Sequence, residues 1–160
     1  PAYLRRNQED VLTELPDLIK VDEWVEFAGK DREAYYAAVA AGNFMAMRRA
    51  AFETGEPTQS AKLQRLREIL TEAAANGRKV VVFSFFRRVL DIVRAALDQP
   101  CVGPLTGSVP AGERQRMVDQ FSRADGHAVL LSQIQAGGVG LNIQAASVVV
   151  LCEPQVKPTL

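Results

Sequence analysis

The sequence predicts an α/β fold: a parallel sheet with helices on both faces, preceded by a small helix–strand–helix lead-in. Three observations carry this. Short apolar runs recur at 79–83 (KVVVF), 101–105 (CVGPL), 127–131 (HAVLL) and 147–151 (SVVVL), a pattern of strands buried on both faces. Helical stripes separate them, with Phe86, Val89, Leu90, Val93 and Leu97 in one gap and Met117, Val118 and Phe121 in the next. Strands and helices alternating in this way imply parallel strands joined by crossover helices. At 160 residues, 48% of them hydrophobic, the chain is long enough to bury a core without disulfides or a metal, because roughly 68–70% of the unfolded surface is buried at this size.

The lead-in is expected to span residues 1–59 and the main lobe 60–160. Residues 5–15 suit a short helix stopped before Pro16, since the residue preceding proline avoids helical geometry. Ile19, Val21, Val25 and Phe27 fall at even spacing, which predicts a strand with one polar face. Residues 31–51 are alanine-rich and free of proline, and so helical. The stretch 54–60 (TGEPTQS) is a loop and marks the boundary. Leu63, Leu66, Ile69, Leu70 and Ala73 then line one face of a helix that Asn76-Gly77 closes. A further helix is expected at 110–122.

Several function classes are poorly supported. Cys101 and Cys152 form no CxxC pair and His127 stands alone, whereas a structural zinc needs about four such ligands. No run of about 18 apolar residues is present, and the polar N-terminus has no signal-peptide core. The predicted protein is soluble, with no membrane partner.

Net charge is zero but unevenly placed. Residues 1–59 hold 7 basic and 11 acidic residues, whereas 78–123 hold 8 basic and 4 acidic. A basic segment inside a neutral chain suits a phosphate-facing surface. Arginine outnumbers lysine 14 to 5, and the guanidinium fork matches phosphate geometry. The Arg and Ala bias also points to a GC-rich bacterial source.

Ligands of an open parallel sheet bind where the strands end, so the loops leaving each strand are the candidate sites. After KVVVF come Ser84, Phe85, Phe86, Arg87 and Arg88, a phosphate-contact set. After CVGPL come Thr106, Gly107 and Ser108, small enough for backbone amides to approach an anion. After HAVLL, Ser132, Gln133 and Gln135 precede Gly137, Gly138 and Gly140, then Asn142. Familiar nucleotide motifs are absent. Gly29-Lys30-Asp31 lacks the rest of a P-loop, and Gly138-Val139-Gly140 leads to Ile143 where a dinucleotide fingerprint needs glycine or alanine. Asp22-Glu23 imitates a Walker B pair without a P-loop before it.

Taken in order, these segments resemble the second RecA-like lobe of the Snf-type (sucrose non-fermenting) helicase-like ATPases of superfamily two. The likeness begins at Leu4-Arg5-Arg6, Val11 and Leu15-Pro16, then Ser60-Ala61-Lys62-Leu63. VVVFSFF (80–86) is similar to motif IV, and Gly107 with Glu113-Arg114-Gln115 and Phe121 to the segment that follows it. AGGVGLN (136–142) resembles motif V, followed by Ala145-Ala146 and Glu153-Pro154. Two departures stand out. Ser132 lies one residue farther from Ala136 than the motif has it, and Val156-Lys157-Pro158 replaces Trp-Asn-Pro.

The resemblance implies a DNA-dependent ATPase whose nucleotide sits between two lobes. ATP and Mg would be held mainly by an upstream first lobe, with Gly138, Gly140 and Asn142 touching the nucleotide from this side. Ser84, Phe85, Arg87, Gly107, Ser108, Ser132 and Gln133 would grip duplex DNA by its phosphates. It further implies a fragment that begins mid-protein, stops before the arginines of motif VI and is inactive alone, in a cytoplasmic, nucleoid-associated setting. Two other readings stay open: a binding-only module of the same fold, and a generic α/β transferase with Glu153 as its acid or base.

Overall fold

A computed structural model describes residues 19, 21–27, 29–52, 60–137 and 142–153. Helix α1 (Gly29–Ala40), helix α2 (Phe44–Arg49) and a 3-10 turn (Ala50–Phe52) precede helix α3 (Ala61–Ala75). There follow β1 (Lys79–Ser84), α4 (Arg87–Ala96), β2 (Val102–Leu105), α5 (Ala111–Arg123), β3 (Ala128–Gln133), the one-turn α6 (Ile134–Gly137) and β4 (Val148–Leu151). The strands make one parallel sheet in the order β2-β3-β1-β4. The expected α/β class therefore holds.

Residue alternation along β1 divides the core in two. Val80 and Val82 meet Leu63, Leu66 and Leu70 of α3 and Val89, Leu90 and Val93 of α4. Val81 faces the other way, with Leu130 and Phe121 of α5. Helices thus cover both faces, and each fully buried large side chain contributes roughly 1.5–3 kcal/mol. Ala51 and Phe52 join the first cluster, so the 3-10 turn anchors the lead-in to the lobe.

Helix α3 starts at Ser60, whose hydroxyl accepts the Leu63 N–H (3.3 Å) and donates to the Ala51 carbonyl. It stops at Asn76-Gly77, with Gly77 at φ +62°, the left-handed conformation that ends helices most cheaply at glycine.

Three expectations change. Residues 19 and 21–27 form no strand. Ile19 (83% exposed) and Trp24 (93%) lie in solvent, and neither edge of the sheet pairs with this stretch. Even spacing alone does not make a strand, because its amides and carbonyls need a neighbouring one. Instead Phe27 stacks on Tyr35 at 4.7 Å and Glu23 pairs with Arg65 at 2.8 Å. The helix expected at 31–51 is broken in two. Gly42 turns the chain at φ +65°, and the Asn43 side chain caps α2 by accepting the Ala46 N–H at 3.0 Å. Finally, β4 is a half-exposed edge strand: Val149 and Leu151 are 59% and 54% exposed, since only the α3/α4 face of β4 is packed. The helix expected at 5–15 and most of the 54–60 loop lie outside the described residues.

Candidate nucleic-acid and nucleotide interface

All four strands run the same way, so the loops singled out from the sequence gather along one edge. A hydrogen-bonded network joins the ends of β1, β3 and β4. β1 runs beside β3 down to the Ser84–Gln133 register pair and beside β4 down to Phe83–Leu151. Cys152 and Glu153 therefore emerge next to Ser84 and Phe85.

Glu153 is buried, only 2% exposed. Its carboxylate accepts the Ser84 hydroxyl, 3.0 Å from each oxygen, and the Phe85 N–H. The Ser84 oxygen in turn accepts the Phe86 N–H at 3.0 Å. Gln133 donates to the Phe85 carbonyl at 3.0 Å. Lys62, near the start of α3, donates to the Cys152 carbonyl at 2.9 Å. Burial pushes the Glu153 carboxyl above its ordinary range, opposed by the Phe85 amide, the Ser84 hydroxyl and the charges of Lys62 and Arg48. Burial also lowers Lys62, opposed by the neighbouring Cys152, Glu153 and Asp31. Buried charges persist in proteins when paired and hydrogen-bonded in this manner.

Above this network lie two rings. The Arg48 guanidinium sits 5.3 Å from the centroids of both Phe85 and Phe86, and that of Arg49 5.4 Å from Phe86. Next along the chain, Arg87 and Arg88 are exposed in the first turn of α4.

The candidate residues fall into different positions. Ser84 and Ser132 are fully buried, and their hydroxyls bond within the protein, Ser84 to Glu153 and Ser132 to the Gln133 carbonyl at 3.2 Å. Phe85 and Gln133 are half-buried. Arg87, Gly107 and Ser108 are exposed, with the Ser108 hydroxyl 2.9 Å from that of Thr106. Asn142 is exposed and its side-chain oxygen accepts the Gln144 N–H at 3.3 Å. Gly138 and Gly140 lie outside the described residues. Cys152 is buried and its thiol is held far above the ordinary range, by burial first and then by Glu153, which suits a packing residue rather than a nucleophile. Asp22-Glu23 lies in no strand, and Glu23 serves the ion pair to Arg65.

Sequence reasoning missed Glu153 as the hub and Arg48 and Arg49 as ring partners. The signal available for Glu153 was an acidic residue directly after a strand that ends at the ligand-facing edge.

Residues 61–160 match the family described as the helicase conserved C-terminal domain. The chain belongs to the helicase C-terminal domain family. Its relatives are of the Snf type. Over 106 residues it is 36% identical to the ATP-dependent helicase fft3 of Schizosaccharomyces pombe, an alignment covering 64% of this chain and 12% of that protein. The C-terminal part of the Fun30 ATPase domain superposes with a TM-score of 0.56 at 30% identity, over 62% of this chain and 33% of that one. The Sulfolobus solfataricus SWI2/SNF2 ATPase core, solved in complex with dsDNA, shares the fold with a TM-score of 0.59 at 19% identity, over 76% of this chain and 30% of that one. This helicase C-terminal domain thus spans about an eighth of the curated relative's length.

Proposed function

We propose that this chain is the second motor lobe of a Snf-type DNA-dependent ATPase. It grips duplex DNA by its phosphates and closes on ATP and Mg held mainly by an upstream first lobe. The observation carrying this reading is the strand-end edge of a helicase C-terminal domain, where exposed Arg87 leads α4 and exposed Gly107 and Ser108 leave β2. The archaeal neighbour solved with dsDNA supports it by analogy of fold.

In this reading Arg87, the amides around Gly107 and Ser108, and the loop carrying Phe85 and Gln133 hold the phosphate backbone. Ser84 and Ser132, buried as they are, support that surface from beneath. Contacts of this kind carry no sequence information. Asn142, exposed and braced by Gln144, suits a polar contact to the nucleotide ribose beside Gly138 and Gly140. Closure and opening of the two lobes would advance this one along DNA. The chain alone would turn over no ATP, and the location in this reading is cytoplasmic, nucleoid-associated if the source is bacterial.

The test is ATP hydrolysis by the full-length protein with and without duplex DNA at two salt concentrations. Stimulation by DNA that weakens as salt rises is expected, because each neutralised phosphate contributes a log–log slope of about −0.9. Hydrolysis indifferent to DNA would overturn the reading.

A further inference from the structure

From this geometry we infer that Glu153 is the positioning residue of the Phe85–Arg87 loop, holding it at the strand-end edge where Arg87 meets a phosphate. This rests on the DNA-gripping role proposed above.

Four elements converge on that loop. From just past the end of β4, the Glu153 carboxylate takes the Phe85 N–H and the Ser84 hydroxyl, and through that hydroxyl supports the acceptor of the Phe86 N–H. From β3, Gln133 takes the Phe85 carbonyl. From α3, Lys62 holds the Cys152 carbonyl, fixing the backbone from which Glu153 projects. From α2, Arg48 and Arg49 lie over the two rings. Glu153 satisfies the Phe85 amide directly and, by holding Ser84, supports the acceptor of the Phe86 amide, the last residue before Arg87.

The chemistry required is a buried carboxyl with both oxygens turned to donors. A hydroxyl donor, a backbone amide and two cations, Lys62 and Arg48, act on Glu153 together. A carboxylate accepts at both oxygens. A carboxamide offers a single oxygen and turns its amino group toward a donor. Glu153→Gln therefore keeps the volume and loses half of the acceptor. Being 2% exposed, the carboxyl cannot reach a substrate, so its influence passes through the loop. This also accounts for the acid that a transferase reading would have used as a catalyst: it is already occupied by the fold.

The experiment compares wild type with Glu153→Gln and Glu153→Asp in the full-length ATPase. Amide hydrogen exchange is followed in the peptide holding Phe85 and Phe86, alongside the duplex concentration giving half-maximal ATPase stimulation. Glu153→Gln should speed exchange in that peptide while β3 stays protected. It should also raise the half-stimulating DNA concentration about tenfold, the size expected for a lost charge-assisted hydrogen bond. Glu153→Asp should fall between. Unchanged exchange in the loop, or a half-stimulating concentration that stays put while exchange rises, would overturn the positioning role. A wild type that DNA does not stimulate would remove the proposed function itself, and this inference with it.

Discussion

At the scale of single residues, the fold places two buried carboxylates in contrasting environments. Glu153 is ringed by donors, whereas the oxygens of fully buried Asp31 lie near the Ser60 hydroxyl and the Ala61 amide without closing a well-formed hydrogen bond. Burial pushes the Asp31 carboxyl up to about 6, against weaker opposing pulls from Ser60, the Ala61 amide and the Lys62 charge. The folded chain therefore binds this proton more tightly than the unfolded chain does. The contribution of Asp31 to stability is fullest below about pH 4 and is lost as pH rises toward 6. Asp31→Asn should accordingly stabilise the protein by about 1 kcal/mol at pH 7.5, with the gain shrinking toward pH 4. Thermal unfolding of both proteins across pH 4–8 checks this, and a gain independent of pH would count against it.

At the scale of elements, glycines end and bend the chain for two different reasons. Gly77 lies at φ +62° with open space around it, so Gly77→Ala is opposed only by backbone strain and should cost about 1 kcal/mol. Gly103 lies at φ +99°, and a Cβ there would come within 2.5 Å of the Leu131 carbonyl oxygen and 2.9 Å of the Leu105 nitrogen. Those atoms belong to β3 and β2, at the register shift where the two strands pair. Gly103→Ala should cost several times more than Gly77→Ala in denaturant unfolding, with β2 amides losing protection first. Equal losses would show that β2 can move aside. The lead-in carries the same lesson. The alanine content of 31–51 favoured one helix, yet Gly42 and the Asn43 cap divide it, because a local hydrogen bond outweighs a propensity difference of a few tenths of a kcal/mol per residue.

At the scale of the whole molecule, the sheet order decides which loops work together. β3 lies between β2 and β1, which puts Gly107 and Ser108 on the same edge as Arg87. If that edge carries phosphate, Arg87→Ala in the full-length protein should raise the half-stimulating DNA concentration several-fold and reduce the salt slope by about one. Stability should change by no more than about 0.5 kcal/mol, since the residue is exposed. Titrations of DNA-stimulated ATPase at several salt concentrations measure both quantities, and an unchanged slope would remove Arg87 from the contact set.

The order of the four strands and of the longer helices between them, and the Snf-type likeness, were determined by sequence alone. Apolar run length, helical spacing and the succession of motifs are properties of neighbouring residues, and no distant partner is needed to express them. Exposed Arg87, Gly107, Ser108 and Asn142 could be located as residues following strand ends on the same basis. Only the tertiary structure decided that residues 19 and 21–27 go unpaired, that β4 lies at an edge, and that Ser84 points inward. It alone brought Glu153 to Ser84, 69 positions away, and Arg48 to Phe85. Such contacts are set by how strands are ordered and how helices pack across them. A local pattern of residues encodes which faces must be buried, but not which distant partner buries them.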